Sequence, residues 1–261
     1  MIGVPGGYPR DDLGEPVNRP GDVRRVVSLV PSLTETIASV DPGLLVGATD
    51  WCTFPADLEV IRVRGTKNPD VRAIVDLAPD LVVANMEENR EIDVRRLREA
   101  GVPVWVTRIE TVPQSLTGIS RLCREGLDRD EPRWLPAARD AWAAPPIVLD
   151  LRVAVPIWRD PWFVVGPRTF ADDLLARCGL HNAFGGAAER YPKVRVEEIT
   201  ASDVDLVLLP DEPYRFGPHD GPEALSVRTA LIPGRALTWY GPTLLTARTD
   251  ILAPVLAAAG G

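Results

Sequence analysis

The side chains able to do chemistry in this 261-residue chain gather in short loops. Residues 31–35 carry Ser32 and Thr34, and residues 50–55 carry Trp51 and Cys52. Lys67 lies in 65–69, and Asn85, Glu87 and Glu88 lie in 85–89. Trp158 and Arg159 stand in 157–162, just before Phe163, and Tyr191 stands in 190–192. Glu212 and Tyr214 share 211–214, and Trp239 and Tyr240 share 239–242. Two chemistries fit these types. In the first, Ser32, Cys52 or Lys67 attacks a substrate while Glu87, Glu88 or Glu212 moves protons. A thiol nucleophile needs a base to make its thiolate. The chain has only His181 and His219, and no spacing brings either to Cys52. In the second, the loops bind without reacting. Aromatic rings held on loops make rigid, amphipathic walls, and polar groups beside them discriminate among ligands. Each residue also has a purely architectural reading. Ser32 and Thr34 fit a helix cap, Glu87 and Glu88 a helix start, and Cys52 an inert buried thiol.

The motif search is otherwise empty. There is no phosphate-binding G-x-x-x-x-G-K-[ST], no G-x-G-x-x-G after a strand and no G-x-S-x-G elbow. Two histidines and three cysteines with no C-x-x-C pair indicate neither a metal centre nor a disulfide framework. No intrinsic cofactor is therefore expected, and a metal would arrive inside a ligand. The net charge of −8 argues against a nucleic-acid partner, because phosphate binding draws on a basic face. No run approaches the ~18 apolar residues of a membrane span. Residues 1–21 are rich in Gly and Pro and carry Asp11, Asp12 and Glu15, unlike the basic start and apolar core of a secretion signal. They read as a flexible or surface-hugging arm, and the protein as cytoplasmic and monomeric.

The elements that hold the loops follow from periodicity. Residues 23–30 form a β-branched apolar run stopped by Pro31. Ser32 to Glu35 has capping-box spacing for a helix reaching about Val40. Strands are expected at 44–49, 60–64, 81–85 and 102–107, with helices at 71–77 and 89–100. No strand is visible across 111–143, which reads as a helical connector broken at Pro132 and Pro136. Strands then recur at 147–153, 162–165, 204–209 and 236–239, with helices at 169–178, 196–200 and 244–259. Alternating strands and helices imply α/β architecture with mostly parallel sheets. The division is an arm (1–21), an N-terminal α/β lobe (22–110), the connector (111–143) and a C-terminal α/β lobe (144–261), with a ligand cleft expected between the lobes. The lobes share a pattern. Ile74 to Glu87 and Ile199 to Glu212 align at a constant offset of 125, each reading helix end, Asp, apolar strand, acidic residue. That places Glu87 and Glu212 at equivalent carboxyl ends of strands, where open α/β sheets bind ligands.

Together these segments resemble the class III solute-binding proteins of ABC importers, the helical-backbone metal receptors, and most nearly the vitamin B12-binding branch. The resemblance rests on Arg25 to Glu35, Val46 to Pro55, the Leu-Ala-Pro-Asp turn at 77–80, Ala100 to Val104, Phe163 to Gly166, Leu174 to Gly179 with Asn182 to Phe184, and Tyr191-Pro192 ahead of Val196 to Ile199. It covers roughly residues 23–260. It implies two lobes joined by a helix, a bulky ligand such as a corrinoid, heme or siderophore, and delivery to an importer. It implies ligand-facing positions for Trp51, Asn85, Phe163, Tyr191 and Trp239, with Asn85 departing from the Trp usual in that branch. It also implies permease docking through one acidic residue per lobe. Glu197 matches the second, whereas Arg72 stands unfavourably at the first. Such proteins are extracytoplasmic, against the cytoplasmic reading of the chain's start. A cytosolic binding or sensor protein of the same fold is the alternative, and an enzyme using the cleft a more distant one.

Overall fold

Short β-branched runs bounded by turn residues build the sheet of the first half. The computed structural model describes residues 8–145, 148–201 and 203–260. The chain divides into two units. The first holds residues up to Ile109, with Pro113–Pro136 and Tyr240–Pro242. The second holds Glu110–Val112, Ala137–Trp239 and the chain from Thr243. The glycine-rich run 3–7 and the predicted strand start at Ile147 lie outside the described residues.

The first unit has strands β1 (Val26–Ser28), β2 (Leu45–Ala48) and β3 (Ile61–Arg62), a two-residue-turn hairpin β4 (Arg64–Gly65) and β5 (Asn68–Pro69), then β6 (Leu81–Asn85) and β7 (Val104–Thr107). The main sheet runs β3-β2-β1-β6-β7, with parallel pairs throughout. Every residue of β1, β6 and β7 is buried, as parallel strands covered on both faces require. Helices α1 (Pro31–Val40), α2 (Val71–Asp76) and α3 (Glu91–Glu99) follow their strands. Val27, Leu29, Ile74, Val82 and Leu97 share one core.

The predicted cap is corrected here. Helix α1 begins at Pro31, and extended Val30 is its N-cap without a side-chain bond. Proline's fixed φ and missing N–H suit the first helical position, so the helix starts two residues earlier than a Ser32 cap would give and Ser32 lies inside its first turn.

The predicted connector is helical, with α4 (Val112–Arg121), a π-turn at Leu122–Gly126 and α5 (Leu135–Ala143). Gly126 faces the Trp105 ring, where an added Cβ would come within 3.2 Å. Pro113–Pro136 packs with the first unit and Ala137 onward with the second, so this stretch is not a separate body.

The second unit has β8 (Leu151–Ala154), β9 (Pro156–Trp158), β10 (Trp162–Val164), α6 (Phe170–Arg177), β11 (Leu180–Asn182), β12 (Lys193–Val194), α7 (Val196–Ala201), β13 (Leu206–Pro210), β14 (Thr229–Ile232), α8 (Gly234–Thr238) and α9 (Ala247–Ala259). Its parallel sheet runs β11-β8-β13-β14, and β12-β10-β9 form a small antiparallel sheet that periodicity did not disclose. The strand predicted at 236–239 is overturned. Those residues lie in and just beyond α8, which starts after extended Pro233, and the strand is β14 upstream. An apolar pair such as Ala236-Leu237 fits either period when so short.

The 125-residue offset is physical. Helix α2 shifted by 125 is α7, and β6 shifted by 125 is β13. Both units also use one clamp. Asp80 donates its N–H to Arg25 O at 2.8 Å, and its Oδ2 accepts the Arg25 N–H at 2.9 Å. Asp205 makes the same pair of bonds with Arg152, at 2.9 and 2.8 Å. Each aspartate thereby sets the register between its strand and the one beside it.

The arm, read as flexible or surface-hugging, meets the rest of the first unit through Asp11, Asp12 and Arg19. The Asp11 side chain is fully buried against Arg98, and Val17 is 2% exposed. Those two buried residues are points at which residues 8–21 are anchored. No helix among the described residues is long and apolar enough to cross a membrane.

Candidate functional site

In the first unit the candidate residues form an inner frame and an outer rim. Thr34 turns its hydroxyl back onto Ser28 Oγ (2.8 Å), Val30 O (2.9 Å) and Cys52 Sγ (3.0 Å). Thr49 Oγ1 meets the same thiol at 3.1 Å. Ser32, Thr34 and Cys52 are all buried. Burial pushes the Cys52 thiol above its usual value, although the two threonine hydroxyls partly offset this by favouring the thiolate. The nucleophile reading of Cys52 is weakened, because its thiol is buried and the groups that touch it, the Thr34 and Thr49 hydroxyls, are not bases. Cys123 and Cys178 are buried too, pushed up to about 12 and about 11.

Asn85 also belongs to the frame. It ends β6 at 2% exposure. Its Oδ1 accepts the N–H groups of Glu87 (2.8 Å) and Glu88 (3.2 Å), and its Nδ2 donates to Thr107 Oγ1 (3.1 Å). Asn89 completes the frame, accepting the Asn85 N–H and donating to Leu29 O and Thr66 O. The amide implied as ligand-facing is thus turned inward, where it shapes the loop that carries the two glutamates. Asn89 escaped the sequence reading; an Asn four residues after a strand-ending Asn was its only signal.

The rim is different. Trp51 is 67% exposed, the most exposed tryptophan described, and its indole lies against Gly65. Lys67, in the turn between β4 and β5, donates from Nζ to Glu87 O at 2.5 Å, tying hairpin to loop. Glu88 Oε1 accepts the Tyr240 hydroxyl at 2.8 Å. Burial and the Glu88 carboxylate hold that phenol protonated well above its ordinary range.

In the second unit, Trp158 and Arg159 lie at the turn between β9 and β10. Trp158 meets Tyr214 edge-on at 5.7 Å and is 47% exposed. Arg159 sits over the Trp162 ring at 5.5 Å and pairs with Asp220 and Glu223. The Glu223 carboxyl is held below its usual range chiefly by Arg159. Asp220 Oδ2 also accepts the Tyr214 hydroxyl at 2.8 Å. Arg159 is therefore a strut that reaches Tyr214 through their shared partner Asp220, matched by two carboxylates that sequence reasoning missed because they lie some 60 residues on. Phe163 is half-buried opposite Lys193. Tyr191 is presented between two pinned carbonyls, since Val164 and Gly166 donate their N–H groups to Pro192 O and Arg190 O at 3.1 and 2.8 Å.

Glu212 and Trp239 form a linked pair. Burial pushes the Glu212 carboxyl up, and the Trp239 indole N–H bonded to it works the other way by favouring the carboxylate. Arg235 stacks on the Trp239 ring at 4.4 Å. Trp239 is only 8% exposed. Among the described residues no group of three or more His, Cys, Asp or Glu is placed to hold a metal ion.

No family model matches the sequence. The chain is 25% identical over 194 residues to the vitamin B12-binding protein of Vibrio parahaemolyticus, covering 71% of this chain and 70% of that protein. It is 22% identical over 258 residues to that of Pectobacterium carotovorum, covering 91% and 90%. Among solved structures, the periplasmic vitamin B12-binding protein of Vibrio cholerae superposes with a TM-score of 0.73 at 19% identity, over 92% of this chain and 99% of that one. The apo periplasmic heme-binding protein of Roseiflexus sp. RS-1 gives 0.72 at 21%, over 91% and 99%. The resemblance to the class III solute-binding proteins of ABC importers is borne out, and the fold is theirs.

Proposed function

We propose that this protein is a solute-binding protein that reversibly and non-covalently holds a bulky small molecule, a corrinoid, heme or other metal chelate, as the substrate-binding component of an ABC importer. The observation that carries this reading is the likeness to vitamin B12-binding proteins, in one case 22% identity over 91% of the chain. The loops at the carboxyl ends of each unit's sheet supply the chemistry. In the first unit Trp51 offers an exposed aromatic face and the 85–89 loop the carboxylates of Glu87 and Glu88; in the second unit Trp158 offers an exposed face and Tyr191 and Phe163 half-buried ones. Any metal comes as part of the ligand. The periplasmic setting of the solved neighbours favours an extracytoplasmic role over a cytosolic binder or sensor. An enzymatic role is disfavoured by the buried thiol at Cys52. Titrating the purified protein with a corrinoid, heme and ferric chelates is expected to quench tryptophan fluorescence saturably with at least one of them. Flat titrations with all three would remove the proposal.

Docking is the finer part of the reading. Arg72 and Glu197 are the second residues of α2 and α7, equivalent positions, and both are exposed. If a permease presents a cation to each, Arg72 faces a like charge, which costs up to several kcal/mol at an interface. Arg72→Glu is expected to tighten binding to a reconstituted B12-type importer about 10- to 100-fold, and Glu197→Arg to weaken it. Both effects should shrink as salt rises, because the residues are solvent-exposed. Tight wild-type docking that Arg72→Glu weakens would show a permease matched to Arg72 instead.

A further inference from the structure

Strand β7 is the last strand of the first unit's sheet, and its outer edge should offer unpaired backbone groups. Residues 103 and 107 turn inward, since Val82 and Met86 donate their N–H groups to Pro103 O and Thr107 O, each at 2.9 Å. Residues 104, 106 and 108 therefore face outward, and each finds a partner. Arg98 Nη2 donates to Val104 O at 3.3 Å. The Val106 N–H donates to Asp11 Oδ2 at 3.3 Å, and Val106 O accepts the Asp12 N–H at 3.1 Å. The Arg108 N–H donates to Asp12 Oδ2 at 3.1 Å.

We propose that residues 8–21 are an edge latch, in which the consecutive carboxylates of Asp11 and Asp12 take the place of a sixth strand beside β7, close that edge to strand addition and tie it to α4. Asp11 is shaped for the task. Its Oδ1 closes the strap's own turn by accepting the Leu13 and Glu15 N–H groups at 3.0 and 2.9 Å, while Oδ2 serves Val106 and pairs with Arg98 at 2.8 Å. Asp12 splits its oxygens too, with Oδ2 on Arg108 and Oδ1 paired with Arg121 at 2.5 Å. Arg121, which ends α4, also donates to Arg10 O at 2.5 Å, and Arg19 Nε donates to Glu125 O in the π-turn at 2.8 Å. The strap thus fastens at once to the sheet edge, to α3 through Arg98 and to the helical stretch through Arg121 and Glu125. Two adjacent aspartates and Arg98 perform what β7 would otherwise need a neighbouring strand to do, and Arg121 holds the strap in place.

Amide hydrogen exchange tests the latch residue by residue. In the wild-type chain the Val106 and Arg108 amides are expected to be protected to within tenfold of Trp105 and Thr107, which face β6. Asp11→Ala is expected to speed exchange at Val106 at least tenfold more than at Arg108. Asp12→Ala should do the reverse, with Trp105 and Thr107 unchanged within twofold in both. Fast exchange at Val106 and Arg108 in the wild type would overturn the latch. So would an equal rise at all four amides in both variants, which marks general loosening. If Asp11→Ala prevents folding, the wild-type pattern and Asp12→Ala still decide.

Discussion

Replacing Trp51 with alanine is expected to weaken ligand binding about thirtyfold while leaving the melting temperature within about 2 °C of wild type. The two effects separate because of where the ring stands. At 67% exposure it contributes little to the folded core. A tryptophan can bury 150–250 Å² in all, and covering the remaining surface with a ligand, at about 25 cal/mol per Å², is worth roughly 2 kcal/mol or more. Trp51→Phe should recover most of the affinity, because a flat apolar face remains. Trp142 is a suitable contrast. It is 5% exposed and donates from Nε1 to Leu244 O at 2.8 Å, so Trp142→Ala should cost mainly stability. Unchanged affinity in Trp51→Ala, measured by calorimetry to avoid losing the fluorophore, would take Trp51 out of the binding surface.

Gly234→Ala is expected to lower stability by about 2–3 kcal/mol and to weaken ligand binding through the Glu212 loop. A Cβ on Gly234 would stand 2.6 Å from Glu212 O and 2.8 Å from Glu212 N, and backbone cannot swing aside as a flexible side-chain tip does. The glycine N–H also donates to Asp211 Oδ1 at 2.7 Å, so moving it disturbs both acidic residues after β13. Glu212 in turn holds the Trp239 indole. One methyl group would therefore displace a carboxylate and an aromatic together. Gly186→Ala is the control, since nothing lies within 4 Å of its would-be Cβ and its φ is ordinary. Its stability should change by less than about 0.5 kcal/mol. Equal melting temperatures for the two variants would show that the Glu212 loop yields freely.

Much of the scaffold was legible because it is periodic. The run from Ile74 to Glu87 and its counterpart from Ile199 to Glu212 announced α2–β6 and α7–β13, and the repeated aspartates at 80 and 205 proved to be matching strand clamps. What stayed hidden depends on partners distant in sequence. The inward turn of Asn85 needs Thr107, 22 residues on, and the Arg159 strut reaches Glu223, 64 residues on. Neither has a local signature. The strand at 236–239 failed for the opposite reason. Four residues cannot distinguish a period of 2 from one of 3.6, and the extended Pro233 settled it for a helix. The arm at 8–21 looked loose by its glycine and proline content, whereas its order comes from two carboxylates meeting Arg98 and Arg121 about 90 to 110 residues away.

Native mass spectrometry after incubation with an equimolar mixture of a corrinoid, heme and a ferric chelate tests reversible binding of a bulky chelate most directly. The expected spectrum shows the chain with one intact chelate added. On denaturation the bare chain mass of the same sample should return, with the chelate released unaltered. A chain that retains none of the three, an adduct that survives denaturation, or a released chelate of changed mass would contradict a reversible binding protein.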